Sequence, residues 1–167
     1  MKLAMICALA LGHAGAVAAQ DVVYSDTATR ACLASASGMD RLDCVGAAAG
    51  VCMDDTPGGD TTVGMGGCLD REWQFWDAEL NHAYATLMAI YTESDAFAAA
   101  EGMNVPVQSD ALRDMQRHWI VYRDARCDFE RAKWGGGTGG GPATIQCLMM
   151  ETARQTLVLR DGMDGLK

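Results

Sequence analysis

Six cysteines dominate the residues with chemical potential: Cys32, Cys44, Cys52, Cys68, Cys127 and Cys147. Thiols in such a set bind metal, do redox chemistry or pair with each other. No two have the C-x-x-C spacing of a zinc site, and neither His82 nor His118 lies near clustered ligands. An even set in an exported chain argues instead for a disulfide framework. The seventh cysteine, Cys7, falls in the N-terminal apolar run and reads as a bland apolar residue.

Catalytic signals are sparse. Past the N-terminal run the histidines are His82 and His118, both in helical stretches, and no nucleophile elbow or triad spacing accompanies them or Asp124. Asp77 and Glu79 lie two apart and so point to different helix faces, a poor acid–base pair. Asp54, Asp55 and Asp60 lack the D-x-[DN]-x-[DN]-G pattern of a calcium loop, and a solvated acidic loop is favoured. The segment Gly135 to Gly141, broken only by Thr138, has no G-K-[ST] ending and follows a helix, which argues against phosphate cradling. It reads first as a flexible helix–helix connector. The sharper reading is a contact surface beside Trp134, since tryptophan is enriched at binding hot spots. No catalytic residue, metal or cofactor is expected.

The first residues set the compartment. Met1-Lys2, the apolar run Leu3 to Leu11 and the small residues Ala14 to Ala19 have the layout of a secretory signal peptide, cleaved after Ala18 or Ala19. Cys7 is too early for a lipid-carrying cysteine. The run is too short to span a bilayer, which needs about 20 residues, and no later segment reaches that length without a charge. The formal net charge is −9, and loss of Lys2 with the leader makes it −10. That balance disfavours nucleic acid and anionic membranes and leans toward a basic partner.

These residues need elements to hold them, and the chain reads as helix throughout. Ser25 to Ala36 and Asp40 to Met53 suit two short helices broken at Ser37-Gly38. In a hairpin turning at Gly38, Cys32 and Cys44 face each other. A turn-rich loop from Asp54 to Gly67 follows, bracketed by Cys52 and Cys68. From Cys68, the residues Leu69, Trp73, Trp76, Leu80, Tyr84, Leu87, Met88 and Tyr91 form one helical stripe. Asp70 and Glu72 fall in its first turn, where negative charge suits the helix dipole. Gly102 to Pro106 is a break, and Ser109-Asp110 a plausible cap for a second long helix. That helix turns Leu112, Met115, Trp119, Tyr122 and Cys127 inward. A last helix opens with Pro142 at its first position and runs to about Arg160, with Gly162 past its end. Ile145, Leu148, Met149, Thr152 and Leu159 face inward, and Cys127 and Cys147 are placed to bridge the two helices. Spacing alone leaves other cysteine pairings open; local pairing is the natural expectation. The predicted fold is all-α: a short N-terminal helical hairpin, then a core of three longer helices, stapled by disulfides.

One constellation goes further. Asp77, Leu80, Asn81 and Tyr84 give D-x-x-L-N-x-x-Y, and Gln116, Trp119, Arg123 and Cys127 give Q-x-x-W-x-x-x-R-x-x-x-C. Cys147-Leu148 and Arg154 follow, and Cys52 and Cys68 look like the leading cysteine pair. Together these resemble the small exported bacterial domains named after the lysozyme inhibitor LprI, over about residues 52 to 160. The extra pair Cys32 and Cys44, the Gly-rich insertion and the lack of a lipid anchor depart from the pattern. The resemblance implies an all-α exported domain and supports the Cys127–Cys147 bridge. With the leader and hairpin read above, the chain divides into a leader (1–19), a hairpin and loop (20–67) and an LprI-like helical core (68–161), the last two expected to form one compact domain. The matched residues look structural: Tyr84 and Trp119 suit the core, and Asp77 and Arg123 suit a pair between helices.

The resemblance also implies a periplasmic or secreted protein that binds and blocks a basic c-type lysozyme. Blocking a cleft that carries two carboxylates calls for a protruding loop with donors, and Arg131, Lys133, Trp134 and Thr138 are the candidates. The bland reading is that Arg131 and Lys133 favour the C-terminal end of their helix. The alternative function is a non-enzymatic envelope binding or structural module.

Overall fold

The computed structural model describes residues 21–165; the expected leader lies outside the described residues. The elements are α1 (Thr27–Ser35), a 3-10 helix (Gly38–Cys44), α2 (Ala47–Asp55), α3 (Thr62–Ala100), α4 (Gln108–Ala132) and α5 (Gly140–Asp164). No strand occurs among the described residues, and the fold is the all-α hairpin plus three long helices that the spacing predicts. All three local cysteine pairs are bonded: Cys32–Cys44, Cys52–Cys68 and Cys127–Cys147.

The backbone of the molecule is α3, 39 residues long and so about 58 Å from end to end. Its apolar stripe packs chiefly along α5 and builds two core clusters. The first joins Leu69 and Trp76 of α3 to Ala49 of α2 and to Met149 and Ala153 of α5. The second joins Leu80, Ala83 and Leu87 to Leu112 of α4 and Leu159 of α5. Ala83 and Ala153 are fully buried; their small side chains let the helices approach closely. Tyr84 and Trp119 pack, partly buried, against the second cluster.

Several boundaries differ from the sequence expectation, each for a visible reason. The stretch Asp40 to Met53 is not one helix. Gly46 adopts φ 97°, a left-handed conformation that glycine tolerates, and it separates the 3-10 turn from α2. Helix α3 begins at Thr62, not Cys68, so Gly64-Met65-Gly66-Gly67 are helical rather than loop. The Thr61 hydroxyl accepts from the Gly64 N–H at 3.1 Å, an N-cap. A Cβ on Gly64 would stand 2.2 Å from the Gly58 carbonyl oxygen, so glycine there permits the preceding loop to fold back onto the helix. Pro142 lies inside the first turn of α5, two residues past its start, and Gly162 lies inside the helix rather than beyond it.

Helix α4 starts at Gln108, and its cap comes from elsewhere. The Asp95 carboxylate of α3 accepts from the Gln108 N–H at 2.8 Å and the Ser109 N–H at 2.9 Å, so Ser109-Asp110 are not the cap. Inward placement also fails for two residues of α4: Tyr122 is 56% exposed and Met115 is 39% exposed. The face that meets the core runs through Leu112, Trp119 and Cys127; Tyr122 lies rotated away from it, and Met115 sits at its edge, its sulfur accepting from Gln155 Nε2 of α5 at 3.1 Å.

Candidate functional site

The end of α4, the glycine segment and the start of α5 form one tip of the molecule, stapled by Cys127–Cys147. The glycine segment is a run of hydrogen-bonded turns. Trp134 N–H donates to Arg131 O at 3.1 Å, Gly137 N–H to Trp134 O at 2.8 Å, and Gly140 N–H to Gly137 O at 3.1 Å. Gly135 and Gly136 have φ of 54° and 88°. The Trp134 ring, half exposed, lies across Gly139, where an added Cβ would come within 2.2 Å of Cζ3. Glycine at 139 is therefore what seats the indole.

Beside Trp134 opens a groove of about 710 Å³ between α4 and α5, lined among others by Arg126, Lys133, Gln146, Glu151 and Arg154. Glu151 is its buried centre. Arg126 Nε and Arg154 Nη1 donate to the same Glu151 oxygen at 2.7 and 2.9 Å, and the Glu151 charge raises the Arg126 pKa further. Lys133 pairs with Glu130 and sits 5.7 Å above the Phe129 ring. Arg126, Lys133 and Arg154 against Glu130 and Glu151 leave the groove one net positive charge in an acidic chain. Arg131 and Thr138 are exposed at the tip and do not line this groove.

The structure thus gathers Arg131, Lys133, Trp134 and Thr138 at one end. It adds Arg126, Glu151 and Arg154, which spacing did not assign to this site. The signal was present: Arg154 follows Glu151 by three residues, the neighbour spacing of a helix.

Of the remaining motif residues, some pack between helices and others are satisfied within their own. Leu80 is buried, and Leu148 is partly buried in α5. Gln155 Nε2 donates to Gln116 Oε1 at 3.0 Å, linking α5 to α4. Arg123 does not pair with Asp77, as the motif suggested. It bonds its neighbour Asp124 and lies 5.0 Å over the Trp119 ring, while Asp77 accepts from Asn81 at 3.0 Å on the surface of α3. Two partners one turn or less away satisfy both groups locally.

A second carboxylate is buried, and sequence reasoning misplaced it. Because α3 starts at Thr62, Glu72 lies well inside the helix rather than in its first turn. Its carboxylate faces the N-terminus of α2, accepting from the Gly46 N–H at 2.8 Å and the Ala49 N–H at 2.7 Å. It also accepts from Thr29 Oγ1 at 2.9 Å and Trp76 Nε1 at 3.2 Å, and Thr29 Oγ1 in turn accepts from the Ala48 N–H at 3.0 Å. Helix α2 has no capping side chain of its own, because Gly46 and three alanines open it. A glutamate from a neighbouring helix therefore satisfies the free N–H groups and meets the positive end of the dipole. The Tyr24 hydroxyl beside it is buried, and among the described residues it lacks a hydrogen-bond partner. Burial, and then the Glu72 charge, push its pKa well above the usual phenol value.

His82 and His118 are exposed, and among the described residues no three His, Cys, Asp or Glu side chains stand close enough to hold a metal ion. No helix of the described residues is long and apolar enough to cross a membrane.

A protein-family model described as "Lysozyme inhibitor LprI" matches residues 52–159, more than half of the chain. Among curated proteins, "Uncharacterized protein R02472" of Rhizobium meliloti (strain 1021) is 29% identical over 98 residues, covering 59% of this chain and 70% of that protein. No solved structure matches. The matched stretch runs from the Cys52–Cys68 bridge, through buried Leu80 and the Gln116–Gln155 link, past Arg154 in the groove, and the chain belongs to the lysozyme inhibitor LprI family.

Proposed function

We propose that this chain is an exported inhibitor that binds and blocks a basic c-type lysozyme through the α4–α5 tip. One observation carries the reading: Trp134 is half exposed yet seated by the glycine turns, at the mouth of a groove rimmed by Arg126, Lys133 and Arg154. A fixed aromatic with cations around it suits a cleft that carries carboxylates, because an ordered anchor loses little entropy on binding. Thr138 is exposed at the same tip, and Arg131 lies outside the groove. The acidic remainder of the molecule steers it toward a basic enzyme, which raises the association rate more than the affinity. Family membership and the disulfides support export, and the leader would be removed near Ala19.

The test is a lysozyme inhibition assay at stoichiometric concentrations across a salt series. Inhibition should weaken as salt rises, since attraction between opposite net charges is screened beyond about 8 Å at physiological ionic strength. Trp134→Ala with Lys133→Ala should raise the inhibition constant at least about tenfold, the size expected for losing a hot-spot anchor, with helical content unchanged. Full inhibition by that double variant would remove the tip as the binding surface. No inhibition by the unaltered protein at any salt would leave an envelope binding module as the better reading.

A further inference from the structure

Helix α4 presents two faces. One meets α5 and the groove. The other, through Asp114, Arg117, Val121, Tyr122, Asp128 and Phe129, is exposed along its length, with the partly exposed Met115 at its margin, where its sulfur accepts from Gln155 Nε2 of α5. Its apolar members are large: Val121 is 69% exposed and Phe129 is 65% exposed. Met115, Tyr122 and Phe129 recur every seven residues and so form one edge of the face. The opposite edge carries Asp114 and Arg117 at one end and Asp128 and Arg131 at the other, with Asp124, held by its neighbour Arg123, between them.

We propose that this face binds the same face of a second copy of the chain, with the two α4 helices antiparallel. The argument is self-complementarity, which an isologous twofold contact requires. A twofold axis level with the midpoint between Tyr122 and Arg123 brings Arg117 level with Asp128 of the second copy. The same axis brings Asp114 level with its Arg131, and each pairing occurs twice. On the other edge, Phe129 falls near Met115 of the second copy, and the two Tyr122 rings meet across the axis. One register forms both charged pairs and joins the apolar edge, with each Asp124 near the axis neutralised by its own Arg123, and neither edge complements itself in a parallel arrangement. Arg117 and Asp114 are 71% and 66% exposed, with only a 3.7 Å contact to each other, so both are free to turn outward. The helix is 25 residues long, about 37 Å, room for an interface on the order of 1,000 Å² as specific association needs. Arg126, Lys133 and Arg154 lie toward the groove, which stays open in this dimer.

Sedimentation velocity on the oxidised mature chain, from about 1 to 200 μM, reads the outcome. A concentration-dependent dimer is expected. Arg117→Asp alone, or Asp128→Arg alone, places like charges opposite each other and should weaken the dimer at least about tenfold. The double variant R117D/D128R should restore it. All these side chains are exposed, so circular dichroism and urea unfolding should match the unaltered protein. A monomer at every concentration would overturn the proposal, as would a dimer that ignores the single substitutions or is not rescued by the exchange. The readout is oligomeric state alone, and its failure leaves the lysozyme reading untouched.

Discussion

Glu72 is one carboxylate with four donors, none of them a charged side chain. Glu72→Gln keeps the shape but turns an NH2 group toward N–H donors and removes the charge at the dipole of α2. Urea unfolding of the oxidised protein should show a loss of about 3 kcal/mol, the scale for stripping a buried charge from its hydrogen bonds. A loss under about 1 kcal/mol would mean that the carboxylate is not what holds α2. Tyr24 makes the opposite case. Its hydroxyl is buried without a partner among the described residues, so Tyr24→Phe removes a desolvated group and little else. That variant should be as stable as the parent or up to about 1 kcal/mol more so, measured the same way. A clear destabilisation would show that the hydroxyl does have a partner in solution. Tyr24 did not stand out in the sequence, and Glu72 was read only as a first-turn acid, because each matters through a tertiary contact: Glu72 lies 23 to 43 positions from Thr29, Gly46 and Ala49.

At the scale of elements, the joint between α3 and α4 should depend on pH. Hydrogen bonds from the Ser109 and Gln108 N–H groups hold the Asp95 pKa below the ordinary carboxylate range. A depressed folded-state pKa contributes stability that is present above the unfolded value, near 3.9, and is lost as pH falls through the folded one. Asp95→Asn should therefore be less stable than the parent at neutral pH, with the gap narrowing below about pH 4. Thermal unfolding across pH checks this, and a gap that persists unchanged into acid would refute it. The Cys127–Cys147 bridge, with a sequence separation of 20, gives a second test. Replacing both with serine should cost about 3 kcal/mol in the chain-entropy model and loosen the turns that seat Trp134.

Much of this level was legible. The stripe from Leu69 to Tyr91 and the inward residues Met149, Thr152 and Leu159 followed from helical period, and the cysteine pairs from their placement about turns. The boundaries that were not legible, at Gly46, Thr62 and Gln108, depend on a glycine conformation, a loop folded back on Gly64 and a cap from another helix. None of these leaves a local pattern. At the site, the four tip residues were legible as a cluster in sequence, whereas the groove needed α4 and α5 side by side.

For the whole molecule, the three bridges have a property that their separate geometries do not convey. Cys32 pairs with Cys44, Cys52 with Cys68, and Cys127 with Cys147, so each loop closes before the next one opens along the chain. Beyond the expected leader that carries Cys7, a polypeptide delivered to an oxidising compartment N-terminus first would offer each thiol its proper mate as the next cysteine to emerge. Strictly vectorial oxidation would thus yield the native set, and a catalyst that only introduces bonds would suffice, without one that reshuffles them.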